Sequence, residues 1–212
     1  MEVSELLTLF RYETNDVERP FVWPDALVYD YIDDAQKQFC RDTYGISDST
    51  SFTLDISPNT EWYGVDEKIL EIRSAIINGV GSTIPIVSAE QIDDKGIVFN
   101  GSKGRVQALI YGLDEGLLKA WPIPNETMVV NLLTTRLPSD VVSSFDSLEI
   151  KPRYHKLLLH WMKYRAYGVD DEVALNKTLS EKHFDLHNSS CLSARIEKKR
   201  SHRPVCVVAM NW

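Results

Sequence analysis

Pro24-Asp-Ala-Leu-Val-Tyr-Asp-Tyr-Ile-Asp-Asp-Ala-Gln-Lys-Gln-Phe-Cys-Arg-Asp-Thr-Tyr44-Gly45, followed shortly by Ser51-Phe-Thr-Leu-Asp-Ile-Ser57, contains the change of hydrophobic period that decides the fold class. In the first segment Val28, Tyr31, Ile32, Ala35 and Phe39 recur at intervals of three and four, which makes one apolar stripe on a helix. Pro24 suits a first helical position, and Asp25 complements the helix dipole. Gly45 can take the left-handed conformation that ends a helix. In the second segment Phe52, Leu54 and Ile56 alternate with Ser51, Thr53 and Asp55, the period of a half-buried strand.

The period of two continues downstream. Lys68–Ile77 alternates, with Leu70, Ile72 and Ile76 expected on one face. Short apolar runs follow at Ile84–Val87, Ile97–Phe99, Val106–Tyr111, Leu117–Trp121 and Met128–Leu133, separated by turn-forming stretches rich in Gly, Asn and Pro. Gly112-Leu-Asp-Glu-Gly116 reads as a hairpin loop, and Ser88-Ala-Glu-Gln91 as the cap of one short helical turn. A helical period returns at Lys151, where Tyr154, Leu157, Leu158, Trp161 and Arg165 share a face, with Trp161 expected in the core. Gly168 ends this helix, and Asp170 caps a last one running towards Arg200. The short link makes the pair an antiparallel αα-hairpin. The expected fold class is therefore α+β: a helical bundle of one N-terminal helix plus the C-terminal hairpin, with an inserted antiparallel β-sandwich or barrel-like unit. The expected domains are a discontinuous helical one (1–48 and 149–200), a β-rich insertion (49–148) and a C-terminal tail (201–212).

The chain is acidic overall, with a net charge of -8, but unevenly so. Residues 151–212 hold 12 Lys/Arg against 6 Asp/Glu, while residues 1–150 hold 11 against 25, giving +6 and -14. Such a separation suits stacked or head-to-tail association of subunits. No stretch approaches the roughly 20 apolar residues of a bilayer span, and Met1–Phe10 lacks the basic start of a secretory signal. Cys40, Cys191 and Cys206 are odd in number and form no CxxC pair, which fits reduced thiols.

No catalytic motif is present: there is no phosphate loop of the GxxxxGK[ST] type, no GxSxG, no HExxH and no GxGxxG. Gly79-Val-Gly81 has only two of the three glycines and reads as a turn. His183, His187 and Cys191 lie four residues apart on one helix face, but a straight helix spreads all three over about 12 Å, so they cannot share one ion. Without an outside ligand they read as a polar helix face, and no metal or cofactor is expected. Asp30, Asp33 and Asp34 lie opposite the apolar stripe and read as a solvated or subunit-facing surface. Arg195, Lys198, Lys199, Arg200 and Arg203 form a basic cluster that can meet DNA phosphates, meet an acidic partner or simply close the helix. Beyond it, Val205, Val207, Val208, Met210 and Trp212 make an apolar tail suited either to docking on a neighbour or to closing as a last strand on the chain's own β unit.

The helical segments resemble the head-to-tail adaptor, or connector, proteins of tailed bacteriophages, particularly of short-tailed phages. The residues that carry the resemblance are Phe21–Thr43, with its Trp23, Tyr31-Ile32, Ala35 and Phe39-Cys40, and Tyr154–Tyr167, with Leu157-Leu158-Leu159, Trp161 and Arg165-Ala166, followed by Asp170-Asp-Glu and a long helix containing Asn176. The β insertion matches only in layout. The resemblance implies a non-enzymatic structural virion protein that forms a ring, usually dodecameric, between portal and tail. Its partners would be the portal protein, tail nozzle or tube proteins and copies of itself, with genomic DNA passing through the channel without sequence-specific binding and with no membrane contact. Its place would be the virion neck, after assembly in the host cytoplasm. Arg195, Lys198, Lys199, Arg200, Arg203 and the apolar tail residues would dock on the portal or a neighbour. The alternatives are another neck or tail subunit such as a stopper, and a carboxylate-dependent hydrolase.

Overall fold

The computed structural model describes residues 2–93, 101–169 and 176–201. The class is α+β. The chain divides into two compact units, residues 1–45 with 138–212, and residues 46–137.

The first unit holds α1 (Val3–Thr14) and α2 (Asp25–Asp42), and in its second segment α4 (Leu158–Tyr167) and α5 (Lys177–Ser201). Helix α1 has no counterpart in the sequence reading. It buries Val3, Leu6 and Phe10, and its start is a capping box made by Glu2 and Glu5. Glutamate at the cap falls outside the usual Ser, Thr, Asp and Asn, so the start carries no strong local signal. Helix α2 starts one residue later than expected, with Pro24 as its cap, and buries the predicted stripe of Val28, Tyr31, Ile32, Ala35 and Phe39. Tyr44 and Gly45 both adopt left-handed conformations (φ 65° and 62°) and stop the helix. The segment expected to start a helix at Lys151 opens as a 3-10 helix, Pro152–Leu157, before α4.

Helices α4 and α5 run antiparallel: Ser180 Oγ donates to the Tyr164 carbonyl (2.9 Å), and Trp161 packs on Phe184 and His187. Further along, the Tyr154 hydroxyl donates to Glu197 (3.0 Å). The cap of α5 is Asn176, whose side-chain oxygen accepts the Leu179 N–H at 3.0 Å. Asp170, Asp171 and Glu172 lie outside the described residues. Trp161 is half-buried rather than in the core, because its ring nitrogen is held at the surface by Asp34. The buried apolar positions of α4 are Leu158, Leu159, Met162 and Ala166, with Lys163 buried beside them.

The second unit is built of strands β1 (Ile46–Asp48), β2 (Thr53–Ile56), β3 (Trp62–Gly64), β4 (Ile69–Ile77), β5 (Thr83–Ile84), β6 (Ile86–Ser88), β7 (Lys103–Gly104), β8 (Ala108–Tyr111), β9 (Leu117–Trp121), β10 (Ile123–Pro124) and β11 (Met128–Arg136), with a short helix α3 (Ala89–Asp93). One sheet runs β1-β11-β4-β5 with β2 also on β11, a second runs β3-β9-β8-β6, and β7 pairs with β10. Neither larger sheet closes into a barrel. Leu54, Ile56, Ala75, Val130 and Leu132 of the first sheet and Leu109, Leu118 and Ala120 of the second share one apolar core. Two pairings depart from the expected antiparallel pattern: β6–β8 and β7–β10 are parallel. The Gly112–Gly116 loop joins the antiparallel pair β8–β9 as expected, with positive φ at both glycines. Ser88 and Gln91 cap α3 reciprocally, each at 3.2 Å.

On β4 the predicted face is broken. Register shifts opposite Leu133/Thr134 and Thr135/Arg136 mark bulges, so Ala75 and Ile77 are buried while Leu70 is exposed. A bulge adds one residue to one strand and thereby reverses the inward parity beyond it. The predicted run Ile97–Phe99 lies outside the described residues; the other apolar runs each overlap strands, with Pro85 and Val106 falling between them.

Candidate functional site at the meeting of α2 and α5

The last carbonyls of a helix have no partner within it. At the end of α2 these carbonyls are taken by cations from α5. Arg195 Nε donates to the Asp42 carbonyl, and Lys198 Nζ donates to the Thr43 carbonyl (2.9 Å), the Thr43 hydroxyl (2.9 Å) and the Gly45 carbonyl (3.0 Å). Burial pushes the Lys198 ammonium below its ordinary pKa. Two members of the basic cluster are thus engaged in tying α5 to α2. Lys199 lies over the Tyr44 ring with its side chain exposed, and Arg200 is exposed. Arg203, Val205, Val207, Val208, Met210 and Trp212 lie outside the described residues.

The histidines separate into two environments. His183 leaves the row and stacks on His160 (ring centroids 5.7 Å) and on Tyr167 (6.0 Å). Burial, and then the positive charge of Lys163, push its pKa down to about 4. His160 is lowered by the same two causes in the same order. His187 and Cys191 are instead buried (1% and 4% exposed), which overturns their reading as a polar helix face. His187 Nε2 lies 3.1 Å from Asp42 Oδ2 and 3.3 Å from Cys191 Sγ, with the Trp161 ring against the imidazole. Burial, and then the Asp42 charge, push the Cys191 thiol up to about 12, so at neutral pH it is protonated. The contribution of Asp42 has no signal in the sequence, since it comes from α2. His155 lies elsewhere, with Nε2 hydrogen-bonded to the Ile150 carbonyl at 2.8 Å.

The acidic residues of α2 do not form one patch. Asp33 accepts from Lys37 (2.7 Å) and from the Val141 N–H (2.9 Å). Asp34 accepts from Trp161 Nε1 (2.7 Å) and from Arg165. Asp30 is exposed. Asp33 and Asp34 therefore fix neighbouring segments to α2.

The helical unit also presents apolar side chains to solvent. Phe145 is 97% exposed, on a loop whose turn is closed by Asp146 accepting the Val142 and Ser143 N–H groups (2.8 Å each). These two bonds hold the Asp146 carboxyl below its usual range. On α5, Leu192 and Ile196 are exposed one helical turn apart, whereas Phe184, though partly exposed, packs on Trp161 and Tyr164 of α4. A fully exposed phenylalanine on a loop, and two exposed aliphatic side chains one turn apart on a helix, are available for association. The sequence reading missed both. The signal for the first was a lone Phe145 between polar residues, Ser143-Ser144 and Asp146-Ser147.

Among the described residues no helix is long and apolar enough to cross a membrane. No curated protein matches the chain. The family model described as SU10 adaptor protein matches residues 1–205. A match over that length includes α1, α2, α4, α5 and every strand of the second unit, and on it the chain belongs to the SU10 adaptor protein family.

Proposed function

We propose that this chain is a head-to-tail adaptor of a tailed bacteriophage of the short-tailed type, a structural subunit without catalytic activity that forms a dodecameric ring between portal and tail. The family match over residues 1–205 carries this reading. Three physical features support it. The charge separation, -14 over residues 1–150 and +6 over 151–212, suits ordered stacking of like subunits. Phe145, Leu192 and Ile196 offer apolar contacts that a lone chain leaves in water. The carboxylates that would serve a hydrolase, Asp33 and Asp34, are occupied by structural partners.

In this reading the helical domain (1–48 and 149–200) is a bundle, residues 49–148 form the β-rich insertion, and the tail from 201 docks on the portal or a neighbouring subunit through Arg203, Val205, Val207, Val208, Met210 and Trp212. Lys199 and Arg200 flank that contact on the end of α5. The ring extends the DNA channel, contacts DNA only through its charge, and gives the tail proteins their platform in the virion neck. Negative-stain imaging of the chain mixed with the portal encoded in the same genome tests this. The expected image is a portal capped at one end by a ring of added density. Portals left unaltered, with the chain free in the background, would overturn the reading.

A further inference from the structure

One ligand atom from each of Asp42, His187 and Cys191 lies within 4.8 Å of the other two. Two of these distances converge on a single atom, since His187 Nε2 is 3.1 Å from the carboxylate and 3.3 Å from the sulfur. An imidazole nitrogen carries at most one proton. If Nε2 is protonated it serves Asp42, and the Cys191 S–H is left with only a long contact, 4.0 Å, to Nδ1. If it is unprotonated it accepts from Cys191 and turns a lone pair towards the carboxylate. One cation satisfies all three groups together.

We propose that Asp42, His187 and Cys191 bind a thiophilic divalent cation of the zinc class, fastening the end of α2 to α5. The donor set of one carboxylate, one imidazole and one thiolate is a zinc set. With Zn–N near 2.05 Å, Zn–O near 2.0 Å and Zn–S near 2.3 Å, a tetrahedron has N···O and N···S edges of about 3.3 and 3.6 Å. The two contacts here are shorter than those edges by 0.2–0.3 Å, and the sulfur, also 4.0 Å from Nδ1, lies to the side of the ring, so binding turns the imidazole until Nε2 faces both ligands. On binding, the sulfur–metal bond forms as the Cys191 S–H proton leaves to solvent. The Asp42 side chain is 28% exposed, so water reaches the site and supplies the fourth ligand. Arg195 Nε and Lys198 Nζ approach the site from α5 and donate to the carbonyls and the Thr43 hydroxyl at the end of α2.

The test is titration of the reduced full-length chain with cobalt(II), followed by competition with zinc. The expected result is one equivalent bound per chain, with tetrahedral visible bands and a thiolate-to-cobalt band in the near ultraviolet, all displaced by zinc. Cys191→Ser should abolish the near-ultraviolet band, and Asp42→Asn, at a partly exposed position, should weaken affinity roughly tenfold or more. Cys206→Ser should leave the spectrum unchanged. Absence of a thiolate band in the native chain at saturating cobalt would overturn the proposal, as would a band that survives Cys191→Ser in a variant with native far-ultraviolet circular dichroism.

Discussion

Arg11 shows how much one side chain holds in place. It is buried on α1, paired with buried Asp16 at 2.6 Å, bonded to the Trp23 carbonyl at 3.0 Å and paired also with Asp25. Asp16 in turn accepts the Val22 and Trp23 N–H groups. The two residues pin the connection from α1 to α2. Removing one member leaves the other charge buried and unpaired, which costs about 3–5 kcal/mol. Arg11→Ala should therefore lower urea-unfolding stability by about that amount, and a loss under about 1 kcal/mol would show that solvent reaches Asp16 easily. His183 makes a pH-dependent contribution. Its pKa is about 4 in the folded chain against 6.5 for the free side chain, so between these values the unfolded state binds more protons. The stability it contributes is complete above pH 6.5 and is lost as pH falls towards 4. His160 shifts in the same direction. From about pH 6.5 to about pH 5, where ordinary carboxylates remain ionised, the melting temperature should fall less steeply in His183→Gln than in the native chain. Parallel slopes would show that His183 titrates normally.

At the scale of elements, α5 is fixed at both ends by different means. Its first turn is closed by Asn176, whose replacement by alanine should cost about 1 kcal/mol in thermal or denaturant unfolding. No measurable change would mean that water serves the Leu179 N–H equally well. Its last turns are anchored by Arg195 and Lys198 on the end of α2. The position of a basic residue near a helix C-terminus is legible in a sequence, because the helix dipole favours it there. Here the two cations serve the C-terminus of α2, 153 residues away in the chain, as well as standing near the end of their own helix. On β4 the alternating pattern is equally legible and equally incomplete, since bulges shift which alternate residues face inward.

For the whole molecule, the reading as a ring-forming adaptor predicts that fold and assembly can be separated. Deleting residues 201–212 should leave the melting transition and circular dichroism of the chain unchanged and abolish capping of the portal. Phe145→Ser, at a site 97% exposed, should spare the fold in the same way and weaken ring formation. Capping that persists in the tail deletion would place the portal contact on another surface of the chain.

The sequence by itself determined what depends on near neighbours. The stripe of α2 and its stop at Gly45, the β8–β9 hairpin, the α3 capping pair and the helical stretch of α5 follow from spacing and turn chemistry, which act over a few residues. The tertiary structure decided what depends on distant ones. Asp42 meets His187 across 145 residues, Asp34 meets Trp161 across 127, and neither partner has a local mark that selects the other. Trp161 shares an apolar face and yet stops half-buried because a carboxylate of α2 holds its indole nitrogen. His187 and Cys191 look from their spacing like part of a solvated face, and packing against α2 buries them. The physical reason is the range of the forces being read. Periodicity and capping record how a segment folds on itself, whereas burial and polar pairing are set by which segments the whole chain brings together.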